Sequence, residues 1–482
     1  MNEIHMKIKE AFPDASVMKN TNNDAYFNGR NLPSFVKDYV LRRYTDSEGN
    51  VDGEAITQYL AAKMPKDKEV SLIKTRLGSM GETVNVTTKF TTNYKETINK
   101  TEASIPDLNI AKAYVSDQLM VEHPDYFYDG EHWGNITLEY EQPIDVKKTG
   151  CFLITTYVPF EPYCNLDLEY YNEARQKFTL DEWIDTLVIT MGYNSEAYSL
   201  EQKLELISRL MPLVEPRLNM IELGSKGTGK SHVYDNLSKY VWLISGGITS
   251  RSQLFYNIAK KQYGVMKYYD VVGIDEITTF RFSDEDQMRT VLKAYLEAGN
   301  TRVDKVNFKS ECGFVIMGNI PLNNDLKPKH SNYISNLPEL FCDSATMDRF
   351  HGFIEGWKIP RVTTEQLMDG WTLNTEYFST ILHLLRMTSE YDEMFNELVQ
   401  TDKDCDIRDK KAVKKMTAAY HKLLFPHITS MDDIAEEDRE NFKALYKKYC
   451  LAPAIYRRQI IRSQCYLIDK EYKPHMATYD VI

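Results

Sequence analysis

The sequence predicts an α/β protein with a parallel sheet at its centre, a small all-β module ahead of it and helices at either end. Three observations predict this. The apolar runs "NMIELG", "YVWLISGG", "YYDVVGIDE" and "GFVIMGN" alternate with helical patterns after residue 179, and strands covered on both faces read that way. Residues 82–160 are instead rich in Val, Ile, Thr and Tyr with partial alternation, which is the pattern of half-buried strands. Residues 1–80 and those beyond 363 carry apolar positions at helical spacing.

The bulk numbers bound the rest. At 482 residues the chain exceeds one hydrophobic core; domains run to roughly 100–200 residues, so two to four are expected. Hydrophobic content of 43% and charged content of 27% are those of a globular protein. No apolar run approaches the roughly 18 residues of a membrane span, and "MNEIHMKIKEAF" has no apolar signal core, so neither membrane nor secretion is expected. Seven scattered cysteines without a CxxC pair argue against zinc and disulfides and point to the reducing cytoplasm. The net charge of −12 does not announce a nucleic-acid binder, yet a ring with an acidic exterior can carry a locally basic bore.

Taken in order, "LPSFVKDYVLRRY" places Pro33 near a helix start, followed by Phe35, Val36, Tyr39, Val40 and Tyr44. "TVNVTTKFTT", "WGNITLEYEQ" and "TGCFLITTYVPF" read as strands of a small antiparallel sheet or barrel, and "VPFEPYCNLDLEYYNEARQKF" as a linker. Thr179 and Glu182, three residues apart, make a capping box for the next helix.

The chemistry begins at "MIELGSKGTGKSHVYD". Gly224, Ser225, Lys226, Gly227, Thr228, Gly229, Lys230 and Ser231 fit G-x-x-x-x-G-K-[ST] at every fixed position. Glycines let backbone N–H groups turn inward around phosphates, Lys230 brings a cation to the β and γ phosphates, and Ser231 offers a hydroxyl to magnesium. Downstream, "YYDVVGIDEIT" ends in two carboxylates. Asp275 is expected to hold Mg2+ through water and Glu276 to polarise the water that attacks the γ phosphate of ATP. The pair favours hydrolysis over phosphoryl transfer, since a kinase must keep water out. "GFVIMGN" ends in Asn319, which can bond that water or the γ phosphate. Phosphate loop, acidic strand, polar-tipped strand: this order describes an AAA+ core.

"SATMDRFHGFIEGWKIPR" supplies Arg349, between a helix and a strand. It is read as an arginine finger for a neighbouring subunit, the plain alternative being a surface arginine paired with Asp348. "YRRQIIR" places Arg457, Arg458 and Arg462 in a C-terminal helix, and Arg458 is taken as the nucleotide contact from a lid. In "LEAGNTRVDKVNFKSECGFVIMGN", Arg302, Lys305 and Lys309 alternate with Val303, Val306 and Phe308. This reads as a hairpin with a basic tip, able to grip a phosphate backbone without sequence preference, or as an ordinary exposed hairpin. The expected layout is a helical region at 1–80, a β-rich OB-like domain at 81–165, an AAA+ ATPase core at 166–362 and a helical lid at 363–482.

The wording around these motifs resembles one family. "FTLDEWIDTLVITMGY", "RLNMIELGSKGTGKSHVY", "WLISGGITSRSQLFYNIAKKQYGVMKYYDVVGIDEI", "GFVIMGNIPL" and "FCDSATMDRFHGFIEGWKIPR" look like BrxL, the Lon-like AAA+ ATPase of BREX phage-exclusion systems; "FPDASVMKN" looks like its opening region. The resemblance implies a hexameric ring, or a dodecamer of paired rings, that binds duplex DNA as MCM-type helicases do. It also implies a pore hairpin at residues 300–310, an oligonucleotide-binding barrel at 82–160 and other BREX proteins as partners. Many members carry a C-terminal Lon-protease-like domain. Only about a dozen residues follow the last helix here, so a short form without peptidase activity is expected. Two other readings stay open: a protein-remodelling unfoldase with "ITTFRF" at 277–282 as an apolar pore loop, and a scaffold ring that binds ATP but barely hydrolyses it.

Overall fold

The computed structural model describes residues 3–20, 23–30, 32–46, 48–95, 98–122, 127, 129–142, 150–160, 166–259 and 261–482. Two compact units result. One comprises Met1–Lys19, Pro33–Phe35 and Cys164–Ile482; the other comprises Asn20–Leu32 and Val36–Tyr163. This departs from the expected layout at the N-terminus. Ser16–Lys19 pairs antiparallel with Gly370–Leu373, and the His5 Nδ1–H donates to the Trp371 carbonyl at 2.7 Å. The opening residues are therefore part of the larger unit.

The smaller unit holds a closed barrel. Its strands are β1 (Val84–Lys95), β2 (Lys100–Ile105), β3 (Ile110–Val115), β4 (Asp129–Glu141) and β5 (Cys151–Pro159), closed in the order β1-β2-β3-β5-β4. A short helix, Asp117–Glu122, lies between β3 and β4. Closure removes the exposed strand edges that would invite aggregation. The alternation read from the sequence puts Val84, Val86 and Phe90 inward, where Ile136, Leu138 and Ile154 meet them.

The larger unit is built on β6 (Met220–Gly224), β7 (Val241–Ser245), β8 (Val271–Asp275), β9 (Asn300–Val303), β10 (Val306–Lys309), β11 (Gly313–Asn319) and β12 (Gly352–Glu355). Five of these form one parallel sheet in the order β12-β6-β11-β8-β7. The later strand β11 is thus inserted between the phosphate-loop strand β6 and the acidic strand β8. Helix α1 (Leu180–Thr190) carries the capping box of Thr179 and Glu182. Helix α2 (Lys230–Asn236) follows the phosphate loop. Helix α3 (Glu285–Ala298) starts at an Asp284 cap and stops at left-handed Gly299.

The C-terminal helices include α4 (Thr375–Arg386), α5 (Ile407–Leu424) and α6 (Ala452–Ile468). Phe378, Ile381, Met416 and Tyr420 from α4 and α5 share one core with Met220, Val315 and Ile354 of the sheet. These helices are walls of the core, not a layer set apart from it. The expected linker also differs. Leu168–Gln176 is a helix capped by Asp167, and buried Arg175 donates from Nε and Nη2 to the Leu424 carbonyl. Its residues 161–165 lie outside the described set. Among the described residues, no helix is long and apolar enough to cross a membrane.

Candidate active site

All five sheet strands run the same way, so their C-terminal ends share one edge. The register puts Gly224 opposite Asn319 and Asp275 opposite Ser245. Gly224, Asp275, Glu276 and Asn319 are thereby gathered at that edge by topology alone. Beyond Gly224 the loop turns through Gly227 and Gly229, both left-handed at φ +77° and +72°, a region where a side chain costs roughly 1–2 kcal/mol. Gly224 is needed for a different reason: a Cβ there would stand 2.5 Å from the backbone of Gly356.

Lys230 opens α2 and is only 7% exposed. Its Nζ donates to the Ser225 carbonyl at 2.5 Å and to Asn319 Oδ1 at 3.1 Å. Burial lowers its pKa, partly offset by the charges of Glu222 and Asp275. Both bonded partners are neutral oxygens, so this cation is buried without a bonded counter-ion. Buried charges are normally paired, and a phosphate group would complete the pair. Ser231 follows in the first turn of α2.

Asp275 is half-buried and Glu276 exposed. The Asp275 carboxylate accepts from the Glu276 N–H at 2.8 Å, and the Ile277 N–H donates to the Met317 carbonyl at 2.9 Å. Between these anchors Glu276 is held at φ +52°. A non-glycine residue in that region is strained by about 1 kcal/mol. The turn directs its carboxylate toward the end of β7, where a Cβ on Gly246 would lie 3.7 Å from Oε2.

Arg209 is a residue of the candidate site that motif reading misses. It is fully buried and forms a two-pronged ion pair with Glu222: Nε to Oε2 at 3.1 Å and Nη2 to Oε1 at 2.7 Å. Its Nη1 donates to the carbonyls of Thr228 and Gly229, at 3.1 and 3.3 Å. The pair ties the back of the phosphate loop to its own strand. A signal did exist, because Glu222 is a carboxylate inside the apolar run "MIELG" and a buried charge requires a partner.

Two arginines lie elsewhere. Arg349 is two residues before His351, whose N–H donates to the Asn219 carbonyl just ahead of β6. That is the opposite edge of the sheet, roughly 13 Å away along β6. Arg349 pairs with Glu297 at 3.0 Å and also donates to the Ala345 carbonyl. Its expected partner Asp348 instead holds Arg408 and Arg458. Arg458 is corrected outright as a nucleotide contact. It is fully buried; Nε goes to Asp409 at 2.7 Å, Nη1 to the carbonyls of Asp348 and Phe350, and Nη2 to Asp348. That network locks α6 to the start of β12.

The expected hairpin exists. β9 and β10 pair antiparallel, with Val303 opposite Val306 across Asp304 and Lys305. Val303 and Phe308 are buried, and the Phe308 ring meets Phe255 and Tyr295 at 5.3 and 5.9 Å. Arg302, Lys305 and Lys309 are exposed on the outer face. By contrast, the apolar loop that kept an unfoldase reading open is core: Ile277 and Phe280 are fully buried and Phe282 nearly so.

The chain matches two family models. Residues 152–478 match "Lon-like protease BrxL-like, ATPase domain", and residues 10–140 match "BREX system Lon protease-like protein BrxL N-terminal". It is 30% identical over 402 residues to a "Lon-like protease BrxL" of Escherichia coli O9:H4 (strain HS), covering 83% of this chain and 57% of that protein. It is 28% identical over 442 residues to one of Bacillus cereus (strain H3081.97), covering 91% and 64% respectively. The chain thus spans about three fifths of the length of these curated relatives. With more than half of its residues matched by the ATPase-domain model, and with the inserted-strand sheet and phosphate loop in place, the chain belongs to the BrxL family and carries that family's AAA+ type ATPase domain.

Proposed function

We propose that the chain hydrolyses ATP as a subunit of a ring, hexameric or paired into a dodecamer, that binds duplex DNA with little regard to sequence in cytoplasmic BREX defence. The observation that carries the ATPase reading is the buried Lys230, which has no carboxylate among its hydrogen-bond partners and is set beside Asn319 at the edge that also presents Asp275 and Glu276. In this reading Lys230 holds the β and γ phosphates, Asn319 aligns the γ phosphate or the attacking water, and Glu276 polarises that water. Ser231 and Asp275 would hold Mg2+, which when bound neutralises charge on the β and γ oxygens. Arg349, on the far edge from its own phosphate loop, would serve the site of a neighbouring copy.

DNA binding rests on different features. The outer face of the β9–β10 hairpin is basic, which suits a phosphate backbone. The barrel order, with a helix between its third and fourth strands, supports an OB-like module, a class that commonly binds oligonucleotides. The experiment is ATP turnover measured with duplex DNA, with unfolded protein and with neither. Stimulation by DNA alone supports the proposal; stimulation by unfolded protein alone points to an unfoldase; negligible turnover in every case points to a scaffold ring.

A further inference from the structure

The arginines of α6 are all committed to internal partners. Arg457 pairs with Glu205 and donates to Tyr420 Oη, Arg458 is locked as above, and Arg462 reaches Asp406 and Asp409. The subunit's own site therefore draws no cation from that helix, and the phosphate loop itself contributes Lys226 and Lys230. The segment after β12 supplies a different one. Beyond Pro360 the chain crosses the phosphate loop, where the Val362 N–H donates to the Gly227 carbonyl at 2.8 Å. The adjacent Arg361 lays its guanidinium against Gly227: a Cβ built there would stand 3.4 Å from Nε and 3.7 Å from Nη2. Arg361 is exposed. Among the described residues it makes no hydrogen bond or ion pair, unlike every other arginine named around the site. A planar fork of free N–H donors, anchored by its neighbour's backbone to a phosphate loop, is equipped for recognition of phosphate oxygens.

We propose that Arg361 binds the phosphate chain of the nucleotide held in its own subunit. This rests on the reading of Gly224–Ser231 as a nucleotide site and adds a residue that the motif does not contain. The role differs from that of Arg349, which faces away from this loop.

The test is calorimetric binding of ATP and of inorganic tripolyphosphate, each with magnesium, to the full chain and to Arg361→Ala, Arg361→Lys and Lys230→Ala. Arg361→Ala should weaken ATP by about tenfold, the worth of one charge-assisted hydrogen bond, and tripolyphosphate by a similar factor. Arg361→Lys should recover part of the loss, since a point charge replaces a fork. Because the side chain is exposed, the melting temperature should not move. Unchanged ATP binding in Arg361→Ala, with binding lost in Lys230→Ala, would overturn the proposal and leave the site standing. So would a loss seen with ATP but not with tripolyphosphate, which places the contact at the base or sugar. Equal losses in the Ala and Lys variants with a lowered melting temperature would also overturn it, as a structural role. Unimpaired binding in Lys230→Ala would instead overturn the reading of the site itself.

Discussion

Lys230 and Glu276 hold their positions for opposite physical reasons. The lysine is buried, with two neutral oxygens as its bonded partners, so removing its charge removes a desolvation cost along with the phosphate contact. Lys230→Ala should therefore abolish turnover while the melting temperature stays level or rises. Glu276 is exposed but held in a left-handed backbone, so its cost lies in the main chain and the carboxylate itself is free to act. Glu276→Gln keeps that turn and the side-chain shape, yet an amide cannot polarise water as a carboxylate does. ATP should remain bound in this variant while hydrolysis falls. Retained hydrolysis would remove Glu276 from the chemistry, and lost ATP binding would make it structural.

At the scale of elements, the phosphate loop hangs on β6 through the Arg209–Glu222 pair. Desolvation disfavours the buried guanidinium, but Glu222 outweighs it, and the Arg209 pKa is raised. Breaking one side of such a buried pair costs about 3–5 kcal/mol, whereas replacing both sides by apolar groups is often close to neutral. Glu222→Leu should lower stability by that amount in denaturant unfolding. Arg209→Met with Glu222→Leu should recover most of it yet still weaken ATP binding, because Thr228 and Gly229 lose their anchor. A single mutant costing under about 1 kcal/mol would refute the pairing argument. The hairpin makes a second case. Its inward residues Val303 and Phe308 fix it to the core, so Lys305→Ala on the outer face should leave folding and basal turnover alone. It should reduce DNA affinity and flatten the slope of log affinity against log salt, by about 0.9 per lost phosphate contact on duplex. An unaltered slope would move DNA binding elsewhere, with the barrel the next candidate. The hairpin and the sheet strands were legible in the sequence because alternation and continuous apolar runs are local patterns. The order β12-β6-β11-β8-β7 was not, because succession of motifs along the chain does not state which strands pair across it. Pairing of Ser16–Lys19 with Gly370–Leu373 was not legible, since no local pattern encodes a contact across most of the chain. Arg458 was misread because a run of arginines on a helix does not disclose which of them turn inward to Asp348 and Asp409. The helix at Leu168–Gln176 was passed over although its Asp167 cap and buried Tyr171, Ala174 and Arg175 carry helical spacing.

For the whole molecule, the two units should respond differently to acid. In the larger one, burial lowers the pKa of His421 to about 3 and of His427 to about 4, and holds His351 well below its usual value. In the smaller, burial lowers His132 to about 4. Each ring is neutral when folded and gains a proton when unfolded below about pH 6.5. The unfolded chain therefore binds more protons, and stability is lost as pH falls from there toward the folded pKa. At up to about 1.4 kcal/mol per pH unit for each histidine, the larger unit should lose melting temperature more steeply between about pH 6.5 and 5. Calorimetry that finds equal slopes for the two transitions would contradict this. Assembly gives the remaining test. Arg349 and the phosphate loop occupy opposite edges of one sheet, so an arginine finger must act between copies, through a head-to-tail interface that closes a ring. Arg349→Ala keeps an intact loop, and Lys230→Ala keeps an intact finger. In an even, random mixture about one interface in four joins the loop of the first to the finger of the second. Each such interface should work, so the mixture should reach up to about a quarter of wild-type turnover, while both parents are nearly inactive; fingers in other NTPases contribute about 10³–10⁵ in rate. Subunit exchange would be followed in parallel with two affinity tags. Demonstrated exchange with no mixture more active than either parent would leave Arg349 as the structural partner of Glu297, with which it is paired in the single chain.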